Sequence, residues 1–169
     1  MISRIQEKLQ DCKAVFDKIN GGHSLASIES DFYKDLNSYN LFLALDVPGE
    51  IPMFFSKIGW IDFYDMYKEF NGTRKKTGIS ELLHEVRKNF QGAWSFSKMY
   101  NSDRSTNFVH LEVQINLAID EIEEIISDSL DVYQCSEIFH FDTGGYDYSL
   151  IAIEFVDGVQ VIEFLRYID

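Results

Sequence analysis

The side chains able to carry acid–base or metal chemistry are few and scattered. Histidines stand at 23, 84, 110 and 140, and no two have the spacing of a metal-ligand pair. His140 and Asp142 form one H-x-D pair. On a strand, positions i and i+2 share a face, so these two groups could orient one another or hold a metal. The competing reading is an exposed or structural histidine. Glu123 and Glu124 are adjacent on an expected helix and point in different directions, so they make no acid–base pair. Cys12 falls on an apolar stripe and reads as a core thiol, and Cys135, on the face of Tyr133, Phe139 and Phe141, reads the same way.

Motif matches add little chemistry. The chain lacks a P-loop, G-x-G-x-x-G, H-E-x-x-H, C-x-x-C, G-x-S-x-G or an EF-hand loop, so neither cofactor nor metal is expected. Asp142-Thr143-Gly144 matches the D-T-G of aspartic proteases, whose carboxylate must share a proton with a second one. Too few residues follow before Asp169 for the flap and closing strands of such a protomer, and His140 stands where that family has an apolar residue. An acid-glycine hairpin turn is the expectation.

The elements that would position these groups fall into two halves. Ile5, Leu9, Cys12, Phe16 and Ile19 recur at helical spacing and predict a helix over 3–20, stopped by Gly21-Gly22. Ile28, Phe32 and Leu36 predict a second helix, with Ser27 as its cap. Leu41–Leu45 is a short apolar run that periodicity leaves open. Both prolines lie in the break Val47–Pro52. Asp62 opens a short helix with Phe63, Met66, Tyr67 and Phe70 inward, closed by Asn71-Gly72. Residues 73–78 predict a basic loop, and Ser80 caps a helix through Leu82, Leu83, Val86 and Phe90 that ends near Gly92.

Beyond that point the pattern predicts strands. Ala93–Tyr100 reads as one, and Val109, Leu111, Val113, Ile115, Leu117 and Ile119 alternate strictly, as on a half-buried strand. Asp120–Leu130 predicts a short acidic helix. Three further strands are expected at 133–141, 148–156 and 159–167, joined by turns at 142–145 and Asp157-Gly158, with the last segment also compatible with a helix. Helices first and strands later predict an α+β fold, N-terminal helices packed on a mainly antiparallel C-terminal sheet, in a single domain over 1–169.

Composition narrows the class. The 169 residues are 46% apolar and 15% aromatic with only 2 Pro and 10 Gly, which excludes a disordered or collagen-like chain. No apolar run approaches the roughly 20 residues of a membrane span. A polar, mixed-charge N-terminus and two distant cysteines predict a soluble, reduced, cytoplasmic protein.

The net charge is −13, and it is uneven. Residues 1–84 hold 10 Lys/Arg and 12 Asp/Glu, whereas residues 85–169 hold 5 and 16. Between Ser105 and Leu165 there are 13 acids and no Lys or Arg. Such a field repels nucleic acid and anionic lipid and accelerates association with cationic proteins. Solubility alone is the simpler account. The partner-binding residues expected from the charge are Asp120, Glu121, Glu123, Glu124, Asp128 and Asp131 in one segment, with Asp142 and Asp147 at the turn. Tyr146 and Tyr148 flank Asp147, where exposed tyrosines would anchor a basic protein.

Two short stretches resemble the SUKH-type bacterial immunity proteins, which neutralise toxins of competing cells. Tyr64-x-x-Tyr67-x-x-Phe70-Asn71-Gly72 is similar to that family's aromatic helix ending in Asn-Gly, and 151–155, Asp157-Gly158 and 159–165 are similar to its closing strands. The resemblance implies a non-enzymatic protein, monomeric or weakly dimeric, that inhibits a basic toxin, often a nuclease, through acidic residues. Two alternatives stand beside it. One is a DNA mimic that blocks a nucleic-acid enzyme; the other is a small enzyme built on His140 and Asp142.

Overall fold

A computed structural model describes residues 4–20, 26–100, 107–128 and 136–167. In chain order the elements are α1 (Arg4–Asn20), β1 (Ala26–Lys34), the single turns α2 (Ser38–Leu41) and α3 (Leu43–Asp46), α4 (Phe63–Glu69) and β2 (Thr73–Lys76). The long helices α5 (Ile79–Tyr100) and α6 (Phe108–Asp128) follow, then β3 (Glu137–Asp142), β4 (Tyr146–Phe155) and β5 (Gly158–Tyr167). The strands form one antiparallel sheet in the order β1-β5-β4-β3-β2. The fold is α+β, as the sequence predicts.

Alternation along each strand divides the apolar residues between two faces. On one face Ile28, Ile151, Ile153, Ile162 and Phe164 meet α1 and α5, over which α6 packs through Ile115, Ile119, Ile122 and Ile126. On the other face Phe139, Phe141, Tyr148, Leu150, Val159, Val161 and Leu165 are covered by the chain from Leu41 to Tyr64. β4 and β5 are therefore buried on both sides, which explains their nearly continuous apolar sequence.

Several sequence expectations hold. α1 buries Ile5, Leu9, Cys12 and Phe16, and burial pushes the Cys12 thiol up to about 12. Asp62 caps α4 by accepting from the Asp65 N–H at 3.1 Å. Gly144, at φ +81°, forms the expected hairpin turn with Asp142, which accepts from its N–H. Cys135 and Asp131 lie outside the described residues, as does the start of the strand expected at 133.

Four assignments are corrected. The segment expected as a helix through Ile28 and Phe32 is β1, and the basic loop at 73–76 is β2, held against β3. The strand expected at Ala93–Tyr100 is the second half of α5, which runs on through Gly92. The strand expected at Val109–Ile119 is the first half of α6. A spacing of four is even, so it marks one face of a strand, and it is also close to one helical turn. Ile28 and Phe32 obey both periods, and so do Leu111, Ile115 and Ile119. Length and the packing of Ile122 and Ile126 decide for helix in α6; pairing with β5 decides for strand in β1.

Candidate protein-docking surface

The residues expected to bind a partner separate into two places. Asp120, Glu121, Glu123, Glu124 and Asp128 all lie on α6. Asp142, Tyr146, Asp147 and Tyr148 lie on the β3–β4 hairpin.

The α6 acids are partly neutralised within the protein. Arg87 on α5 donates to both oxygens of Glu123 at 2.7 Å and to Asp120 at 2.5 Å, and these bonds raise its pKa. Lys8 on α1 pairs with Glu121 at 2.6 Å. Among the described residues, Glu124 and Asp128 pair with no cation. Three of the five expected acids thus hold helices together at the surface.

The hairpin residues are likewise sorted by packing. Tyr148 is fully buried between Phe141 and Phe63, so its expected exposure is corrected. Its hydroxyl donates to Glu163 at 2.6 Å. The even-numbered residues of β4 from Tyr148 to Ala152 face that core, which is why Tyr148 turns inward and Asp147 turns to the opposite face.

Asp147, not Asp142, is the partner of His140. Asp147 Oδ1 meets His140 Nε2 at 2.5 Å, and Oδ2 accepts from Arg166 at 2.7 and 3.0 Å. The hydrogen bond that the protonated His140 donates to Asp147 is the main cause that raises the pKa of His140. Burial opposes ionisation of Asp147, but His140 and Arg166 together carry its pKa below the ordinary value. The arrangement pins three strands by charge: β3 through His140, β4 through Asp147 and β5 through Arg166. It also changes the composition of the expected His140/Asp142 pair. Among the described residues, no three of His, Cys, Asp and Glu gather as a metal-holding group.

This cluster makes stability depend on pH in a defined direction. His140 has a raised folded pKa, so its contribution is complete below the unfolded value near 6.5 and fades as pH rises through the folded value. Asp147 has a lowered folded pKa, so its contribution is lost only as pH falls toward that value. An NMR titration should place the His140 midpoint above 6.5, and Asp147→Asn should return it to the unperturbed range. An unchanged midpoint in that variant would show that Asp147 does not set it.

Tyr146 opens onto a surface that charge alone does not reveal. Its ring meets Trp60 edge-on at 4.9 Å, and Tyr167 contacts both rings, at 6.4 Å from Trp60 and 6.1 Å from Tyr146. Trp60 belongs to an irregular strap, residues 47–62, that crosses the sheet face opposite the long helices. Along this strap Phe54, Ile58 and Ile61 are buried, whereas Ile51, Met53, Phe55 and Trp60 are exposed, Phe55 at 67% and Trp60 at 51%. The strap also lines a pocket of about 350 Å³ between Phe54, Phe55, Trp60 and Phe63. Exposed carboxylates also stand on these elements: Glu50 and Asp62 on the strap, and Asp142 at the end of β3.

Glu163 holds the strap down. This buried β5 carboxyl accepts from the Lys57 N–H at 2.8 Å, and one oxygen also meets the hydroxyls of Ser56 at 2.5 Å and Tyr148 at 2.6 Å. Burial, the largest influence, pushes its pKa up. The strap is therefore fixed by three apolar anchors and one polar clamp, while Phe55 and Trp60 face outward.

Ile51, Met53, Phe55, Trp60 and Tyr167 were not among the residues expected from the sequence. The aromatic crowding at 54–70 is visible there, but the strap has no period, and nothing local tells Phe54 from Phe55. No family model matches the chain, and neither does any curated protein or solved structure.

Proposed function

We propose that the protein is a non-enzymatic binding protein that docks a cationic protein and blocks it, as an immunity protein blocks a toxin. The observation that carries this reading is the exposed row of Ile51, Met53, Phe55 and Trp60 on a strap clamped to the sheet, with the half-buried Tyr146 of β4 against Trp60 and the exposed Glu50 and Asp62 on the same strap. Rigid aromatic anchors supply binding energy, because little conformational freedom is lost when they are covered. Acids at the rim supply steering and select a basic partner. The exposed rings of Trp60 and Phe55 also favour lysine or arginine side chains laid over them. The resemblance of Tyr64–Gly72 and of the closing strands to SUKH-type immunity proteins points to the same class.

The test is capture from a lysate of the native host, comparing wild type with Trp60→Ala/Tyr146→Ala and with Asp142→Lys. Wild type should retain one basic protein at equal stoichiometry and inhibit its activity once both are purified. Removing the two aromatic anchors should weaken binding by about 2 kcal/mol or more per ring. Reversing Asp142 should mainly slow association and reduce its salt dependence. A retained protein that is not basic, or one that binds the double alanine variant as tightly as wild type, refutes this assignment. Failure to retain any protein does so as well.

A further inference from the structure

The pocket along the strap combines an aromatic wall with one carboxylate that no cation of the protein neutralises. The buried rings of Phe54, Phe63 and Tyr64 line it from within, and the exposed rings of Phe55 and Trp60 line it from outside. The inner rings are fixed. Phe63 meets Phe54 edge-on at 5.3 Å and Tyr64 at 5.4 Å, and the Tyr64 hydroxyl donates to the Leu41 carbonyl at 2.9 Å. A cavity formed before its ligand arrives is cheaper to fill. Its volume of about 350 Å³ lies at the small end of binding pockets, which suits one long side chain.

Among the described residues that line this pocket, Asp62 alone carries a charge. It is exposed, and only its Oδ1 is engaged, accepting from the Asp65 N–H at 3.1 Å. Asp65 in the first turn already supplies the acid that the positive end of α4 favours. Among the described residues no Lys, Arg or His pairs with Asp62, and the one basic side chain of the strap, Lys57, is held by Asp31 at 3.1 Å. Aromatic faces attract cations, and a carboxylate beside them adds a charged acceptor. A guanidinium uses both better than an ammonium, because it is planar, stacks on a ring and donates in a fork.

We infer that this pocket takes the guanidinium of one arginine of the docked protein, laid against Trp60 and Phe55, and that Asp62 selects it. This role rests on the docking function proposed above and gives that surface its central anchor. A neutral side chain in the pocket would cover Asp62 without a partner, a loss that the exposed carboxylate does not bear in the free protein.

NMR tests the pocket directly, because the chain has two tryptophans and Trp94 is buried on the helical side of the sheet. On titration of the full chain with N-acetyl-arginine amide, the Trp60 indole N–H signal should move saturably while that of Trp94 stays. N-acetyl-citrulline amide, which has a similar shape without the charge, and N-acetyl-lysine amide should bind about tenfold more weakly or worse. Asp62→Asn should weaken the arginine probe by about tenfold or more at an unchanged melting temperature, since asparagine caps a helix as well as aspartate. Glu50→Gln removes the same charge from the strap outside the pocket lining and should leave probe binding unchanged. No saturable shift at Trp60, equal binding of the lysine or citrulline probe, or equal losses in the two variants overturns the site. With the protein captured from the lysate, Asp62→Asn should speed dissociation about tenfold. A captured basic protein indifferent to Asp62→Asn overturns this inference and leaves the docking function standing. A chain that binds the arginine probe but captures no protein fails as a docking protein, and its pocket then belongs to a free guanidinium compound.

Discussion

Arg74→Ala is expected to destabilise the protein by about 3–5 kcal/mol. Arg74 sits on the short edge strand β2, and its guanidinium donates to both oxygens of Glu137 at 3.1 Å and to Asp46 at 2.6 Å. It also lies over the Phe139 ring, 5.3 Å from the centroid. Glu137 is almost completely buried, and its other close donor is the Ser38 hydroxyl at 2.6 Å. Removing the guanidinium strands a carboxylate in the core, which costs far more than a surface ion pair contributes. Denaturant melts of Arg74→Ala measure the loss. The paired change Arg74→Met/Glu137→Met should regain most of the lost stability, because it removes the charge that needs a partner. A single variant within about 1 kcal/mol of wild type would show that Glu137 is not held as described.

Gly158→Ala should produce the second large loss, about 3 kcal/mol, or roughly 6–12 °C in melting temperature for a chain of this size. Gly158 opens β5 after the Asp157 turn at φ +158°, and it pairs with Lys34 at the end of β1. A Cβ there would stand 2.4 Å from the Tyr33 carbonyl oxygen and 2.8 Å from the Phe32 ring. The carbonyl belongs to a strand fixed in register with β5 over its whole length, so it cannot retreat alone. By contrast, a Cβ on Gly144 meets nothing within 4 Å; only its positive φ opposes substitution there. Gly144→Ala should therefore cost less than Gly158→Ala. Thermal melts of the two variants check the order, and equal losses would mean that backbone conformation rather than contact governs Gly158.

Both effects depend on partners distant in sequence, and the same holds for the docking surface. The acidic balance was apparent without coordinates, but its effect on any partner depends on which acids remain unpaired. Arg87 and Lys8 engage Asp120, Glu121 and Glu123, and Arg166 and His140 engage Asp147, so among the described residues Glu124, Asp128 and Asp142 are the expected binding acids left without a cation. Trp60 joins Tyr146 across 86 positions of chain, a contact that only the closure of the strap onto the sheet creates.

What the sequence by itself determined is the α+β class, the amphipathic α1, the Asp62 cap of α4, the hairpin turns at 142–145 and 157–158, and the strands that follow them. Each rests on local physics: an apolar period over several turns, a side chain that caps a helix, a glycine that permits a tight turn. The tertiary structure decided where local physics is degenerate. A four-residue apolar spacing fits one face of a strand and one side of a helix, so β1 and α6 were settled by what packed against Ile28 and Ile122. Neighbouring aromatics such as Phe54 and Phe55, or Asp147 and Tyr148 on successive strand positions, differ only in the face they take. That choice belongs to the sheet, whose two buried sides determine which residues enter the core and which remain for a partner.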